Sequence, residues 1–227
     1  MAGSEYEPIT ISRRIGAPAR VIFPILADPG RHRELDGSGM VRGVVSGTTI
    51  SAVGDVFVMK MYFDELGDYQ MINHVVEYEP DRRISWEPES GHGHPNAEPG
   101  AERPARWGQR WSFELTPDGP AATVVTEIFD CSQVPEDQRA DIDNGNIWID
   151  SMHQTLERLT SCARASQEQP RRASAPGQTL PEAALVECRC LVLVLVVGWC
   201  LADLPFLLPG WMCHGLADEA AGYVDGR

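Results

Sequence analysis

His74, Gln109 and Thr126 are the polar side chains that strand alternation sets among bulky apolar ones, so chemistry is expected there first. An imidazole titrates near neutral pH, which suits His74 to general acid–base work or to holding a ligand oxygen. The Gln109 amide can position a carbonyl oxygen. The same alternation gathers Met59, Met61, Phe63, Tyr78, Trp86, Trp107 and Trp111 around these groups. Large apolar surfaces with few polar anchors make the wall of a small-molecule cavity, though the same residue types also fill ordinary cores. Trp107 and Trp111 on one face of a strand are bulky for a core that also receives a helix, and each buried indole N–H needs a partner. His92 and His94 lie in a loop rich in proline and glycine with no evident third ligand, so neither a metal nor a cofactor is expected. Such a loop suits the mouth of a cavity.

These residues depend on strands for their placement. Tyr6 to Ile15 reads as a strand, and Gly16-Ala17-Pro18 opens a helix with an apolar face of Val21, Ile22, Ile25 and Leu26. A short second helix is expected over residues 30–35, followed by the flexible run Asp36-Gly37-Ser38-Gly39. Residues 55–63 alternate with Phe57, Met59, Met61 and Phe63 on one side and Lys60 on the other, which points the first set inward. A two-residue turn at Gly67-Asp68 would oppose Met61 to His74 and Phe57 to Tyr78. A loop at Pro80-Asp81-Arg82 would set Ile84 opposite Tyr78 and Trp86 opposite Val76. A turn at Pro117-Asp118-Gly119-Pro120 would oppose Phe113 to Val124 and Trp111 to Thr126. Because a one-residue slip reverses every face, these registers decide which side chains share the cavity.

A long helix is expected from Glu136 to Leu159, with Ile142, Gly145, Ile149, Met152, Leu156 and Leu159 on one face. Gly145 leaves that face without a side chain, either for packing or as room for a ligand. A curved antiparallel sheet must cover its apolar face, and this helix is the element long enough to do so. The class is therefore α+β: a curved antiparallel sheet wrapped around a long C-terminal helix, with two short helices after the first strand.

That order, with Pro18-Ala19-Arg20-Val21-Ile22-Phe23 opening the first helix, resembles the START-related, polyketide cyclase and pollen-allergen superfamily, whose fold is the helix-grip. Leu26-Ala27-Asp28-Pro29, Asp36-Gly37-Ser38-Gly39 and Val53-Gly54-Asp55-Val56-Phe57-Val58-Met59 resemble its bacterial polyketide cyclase/dehydrase branch. The resemblance covers residues 5–160 and implies a cavity between sheet and helix that takes lipids, steroids, polyketides or other apolar molecules. It carries over no catalytic residue. Pro24 inside the first helix departs from the pattern, and residues beyond 161 have no counterpart.

Composition narrows the function further. The chain has 227 residues, 43% hydrophobic and 23% charged, enough to pack a core. A net charge of −14 argues against nucleic acid or an anionic membrane as the main partner. No nucleotide-binding glycine loop, no GxSxG and no HExxH is present. The first residues are short of a secretory signal, so a cytoplasmic domain is expected. Cysteine crowding beyond residue 161, with a smaller change in charge balance, places a boundary near residue 160. Residues 161–183 read as a linker, 184–213 as an apolar segment and 214–227 as a tail. The apolar run at 190–213 is interrupted by Asp203, Pro205 and Pro209. Membrane association through it is an alternative, beside a non-native extension and a docking segment.

The function expected is binding of an apolar small molecule, as carrier or sensor. Its alternatives are a cyclase/dehydrase-type enzyme and a protein-interaction module resembling the Hsp90 co-chaperone activators. An acid/base pair at one cavity point would favour the enzyme, a dry cavity the carrier, and a filled core the interaction module.

Overall fold

The computed structural model describes residues 6–173. Strand β1 (Ile9–Ile15) leads into helix α1 (Ala19–Leu26) and the single turn α2 (His32–Leu35). Six strands follow: β2 (Val41–Ser46), β3 (Val56–Phe63), β4 (Gly67–Glu79), β5 (Arg83–Ser90), β6 (Arg110–Pro117) and β7 (Thr123–Asp130). The seven strands form one sheet in the order β1-β7-β6-β5-β4-β3-β2, antiparallel throughout. Helix α4 (Ile149–Ala173) packs against β1, β7, α1 and α2. Its buried residues Met152, Leu156, Leu159 and Ala163 fall at helical spacing and meet α1 and the sheet.

The β3–β4 hairpin turns three residues earlier than the sequence suggested. Phe63 pairs with Gly67 around Asp64-Glu65-Leu66, and Gly67 has φ +73°, the left-handed geometry that closes a three-residue hairpin loop. Met61 therefore faces Tyr69, Met59 faces Met71 and Phe57 faces Asn73. The shift is by an odd number of residues, so β4 presents the opposite face: Tyr69, Met71, Asn73 and Val75 point inward. An irregularity between Val75 and Glu77 then restores the expected parity, and Tyr78 pairs with Ile84 as foreseen. The loop of Pro80, Asp81 and Arg82 is also as expected.

The β6–β7 loop is longer than the four-residue turn allowed. Pro117 pairs with Thr123, which sets Phe113 opposite Glu127 and Trp111 opposite Phe129. The inward face of β7 is consequently Thr123, Val125, Glu127 and Phe129, each buried. Thr126 points the other way and hydrogen-bonds Ser12 at 2.8 Å.

The long helix is also broken at its start. Glu136–Arg139 forms one turn, here α3, and Ala140–Trp148 is a 3-10 segment kinked at Asp143, Asn144 and Gly145, all with positive φ. A Cβ at Gly145 would lie 2.7 Å from the Phe129 ring, so the glycine serves close packing. At its other end α4 runs on to Ala173, past the residue 160 where composition changes and into the stretch read as linker. The run Asp36–Gly39, read as flexible, is pinned. Asp36 accepts from the Ser38 and Val41 amides at 3.0 and 2.9 Å, and Gly37 N–H donates to Thr155 Oγ1 at 3.0 Å. The remainder of the linker, the apolar segment 184–213 and the tail 214–227 lie outside the described residues. No helix among the described residues is long and apolar enough to cross a membrane.

Candidate functional site

Between the concave face of the sheet, α2 and α4 lies a cavity of about 430 Å³. Strand β3 contributes Phe57, Met59, Met61 and, at 43% exposure, Phe63; β4 contributes Tyr69, Met71 and Asn73. Trp86 from β5 and Trp111 and Phe113 from β6 form an aromatic wall, and Met152 from α4 closes the opposite side. The loop before β6 adds His94, Arg103, Trp107 and Gln109. Trp107 donates its indole N–H to Gln138 Oε1.

Seven of the ten residues expected on this wall are on it: Met59, Met61, Phe63, Trp86, Trp107, Gln109 and Trp111. Three are not. His74 pairs with Val56 on the convex face and bonds Glu89 at 2.6 Å, both side chains about a third exposed. Thr126 lies on that outer face as well. Tyr78 faces inward but packs edge-on against Phe23 at 5.5 Å, beyond the cavity. The first two errors have one cause each, the odd register shifts of the β3–β4 and β6–β7 hairpins.

The polar groups on the cavity lining include His32, Asp36, Tyr69, Asn73, Gln109 and Glu127, beside His94 and Arg103 of the loop. His32 sits at the start of α2, stacked on Trp86 at 5.4 Å and edge-on to Phe57 at 5.3 Å. Its Nε2 is 2.8 Å from the Leu26 carbonyl, which only accepts, so Nε2 carries the proton and Nδ1 a lone pair. Burial holds its pKa below the ordinary imidazole value, against the pull of the Leu26 carbonyl and of Asp28 and Asp36. Glu127 is 4% exposed, and its Oε2 has no partner among the described residues. Burial first and the Asp36 carboxylate second push its pKa well above the usual carboxylate range, which favours the protonated form. The same two causes raise the Tyr69 phenol to about 12. Trp148 Nε1 is another buried polar atom without a partner among the described residues.

The sequence reading missed Glu127 because an acid in an alternating strand ordinarily marks the solvent face. It missed His32 because its role depends on a carbonyl six residues earlier. The Nε2 proton on the Leu26 carbonyl leaves an acceptor at His32, and the protonated form of Glu127 is a donor. Among the described residues no group of three or more His, Cys, Asp or Glu side chains could hold a metal ion. His94 instead accepts from the Asn96 N–H at 3.1 Å.

A seven-stranded antiparallel sheet around a long terminal helix, with two short helices after the first strand, is the helix-grip fold. At the level of fold the resemblance to the START-related superfamily holds. No family model matches the chain. Over 122 residues it is 38% identical to the uncharacterized protein Rv0088 of Mycobacterium tuberculosis, a stretch of 54% of this chain and 46% of that one. The chain thus spans about half the length of the curated relatives it matches. Among solved structures, a protein of Arthrobacter aurescens aligns with a TM-score of 0.54 and 14% identity, covering 71% of this chain and 88% of that one. Protein NE0264 of Nitrosomonas europaea aligns at 0.53 and 14%, covering 73% and 99%. At such identities these neighbours establish the fold.

Proposed function

We propose that the chain binds an apolar small molecule between sheet and helix, as a carrier or sensor. What supports this reading is a cavity of about 430 Å³ walled by five methionines and an aromatic cluster. An interaction module calls for a filled core in that place. The neutral dye N-phenyl-1-naphthylamine tests the reading. Its emission should rise on addition of the protein. A concentration 100 times its Kd should add about 2.7 kcal/mol of stability, or roughly 5–10 °C in Tm for a chain of this size. No emission change together with no rise in Tm would remove the reading.

A second reading, turnover by a cyclase/dehydrase-type enzyme, draws on the acceptor at His32 and the proton on Glu127 lining one cavity. Its test is a new product by mass spectrometry after incubation with a poly-β-ketone. Turnover should fall by about 10²–10⁴-fold in His32→Phe.

A further inference from the structure

Glu127 stands out among the buried polar groups. It is paired with Phe113 on one side and Ile11 on the other, 4% exposed, on the cavity wall. Its Oε2 meets no hydrogen-bond partner among the described residues. Buried carboxyls are ordinarily paired, so a carboxyl on the cavity wall that has an unpartnered oxygen leaves a hydrogen bond for an occupant of the cavity to make.

We infer that Glu127 is the polar anchor of the cavity, and that its ligand is an uncharged apolar molecule bearing a ketone or hydroxyl oxygen rather than a carboxylate. This rests on the ligand-binding reading above. The other charged or titratable side chains on the wall are His32, Asp36, Tyr69, His94 and Arg103. Arg103 is paired with Asp141 and lies over the Trp107 ring at 4.5 Å, so its charge is already matched. Burial lowers the pKa of both histidines. A carboxylate entering the cavity meets Asp36 and, among the described residues, no unpaired cation on the wall, so its desolvation goes uncompensated. A ketone oxygen accepts the Glu127 proton. A hydroxyl oxygen does the same.

A matched series tests this on the full chain by calorimetric titration: naphthalene, 2-acetylnaphthalene, 2-naphthalenemethanol and 2-naphthoate. The ketone and the alcohol should bind about 3–10-fold tighter than naphthalene, the worth of one net hydrogen bond. The naphthoate should bind weakest. Glu127→Leu should erase the gap between ketone and naphthalene while naphthalene binding persists, and Glu127→Gln, which keeps a donor, should retain part of it. Naphthoate binding as tightly as the ketone, or an unchanged gap in Glu127→Leu, would overturn the anchor and leave the ligand-binding reading intact. Binding of none of the four would remove both.

Discussion

Replacing Gly145 with alanine distinguishes a packing glycine from one that leaves room for a ligand. The new Cβ would lie 2.7 and 2.9 Å from two atoms of the Phe129 ring and 3.2 Å from Ile9 Cγ1. Phe129 is fully buried, with Trp111 at 4.6 Å and Trp148 at 6.2 Å between ring centroids, so the ring has nowhere to retreat. Overpacking of this kind costs about 1–3 kcal/mol. The backbone adds a second penalty, because φ is +95° and an L-residue there loses roughly 1–2 kcal/mol. The sum, about 2–5 kcal/mol, corresponds to a fall in Tm of roughly 4–20 °C. Urea unfolding followed by tryptophan emission measures it. A variant within about 0.5 kcal/mol of the parent, but with weakened ligand binding, would refute the steric argument and restore the ligand-room reading.

Three further outcomes follow from the geometry. Glu127 is more acidic in the unfolded chain than in the fold, so its contribution to stability is present below its ordinary value near 4.5 and is lost as pH rises through the folded value. Glu127→Gln should therefore be more stable than the parent at pH 8 and lose that advantage at pH 4, read as the difference in urea midpoints; an equal difference at both would contradict it. His74→Gln breaks a contact whose partners are each about a third exposed, on the convex face, so it should cost about 0–1 kcal/mol and leave ligand affinity unchanged in the same dye titration. A chain cut after residue 160 loses Ala163, which is fully buried, and part-buried Cys162; it should be less stable than a chain cut after 175 by about 1–2 kcal/mol, a fall in Tm of roughly 2–8 °C in parallel thermal scans.

The element order and the inward face of β3 were legible because each rests on local information. Phe57, Met59 and Met61 alternate against Lys60, and the helical spacing of Met152, Leu156 and Leu159 is unbroken. Register is different, because it depends on which residues make the turn. Gly67 looked like the first residue of a two-residue turn, but it is the first residue of β4, paired with Phe63 across the three-residue loop Asp64-Glu65-Leu66. That odd shift moved His74 outside and brought Tyr69, Met71 and Asn73 in. The irregularity after Val75 then returned Tyr78 to the inner face, which no strict alternation foresees. At β7 the longer loop moved Thr126 out and Glu127 in. The kink at Asp143–Gly145 was hidden because Ile142 and Gly145 continue the apolar spacing of α4 in sequence while the backbone leaves the helix.

The cavity is tested most directly through its methionines. Met40, Met59, Met61, Met71 and Met152 line it, five of the seven in the chain, with Met1 and Met212 the others. Methyl NMR of protein labelled at the methionine methyls, titrated with 2-acetylnaphthalene, reads each wall separately, since an aromatic ring seated among them shifts their resonances. The account predicts saturable shifts of the methionine methyls from β3, β4 and α4 together, with a single Kd. Saturable binding that leaves all of these methyls unmoved would place the ligand elsewhere and contradict it.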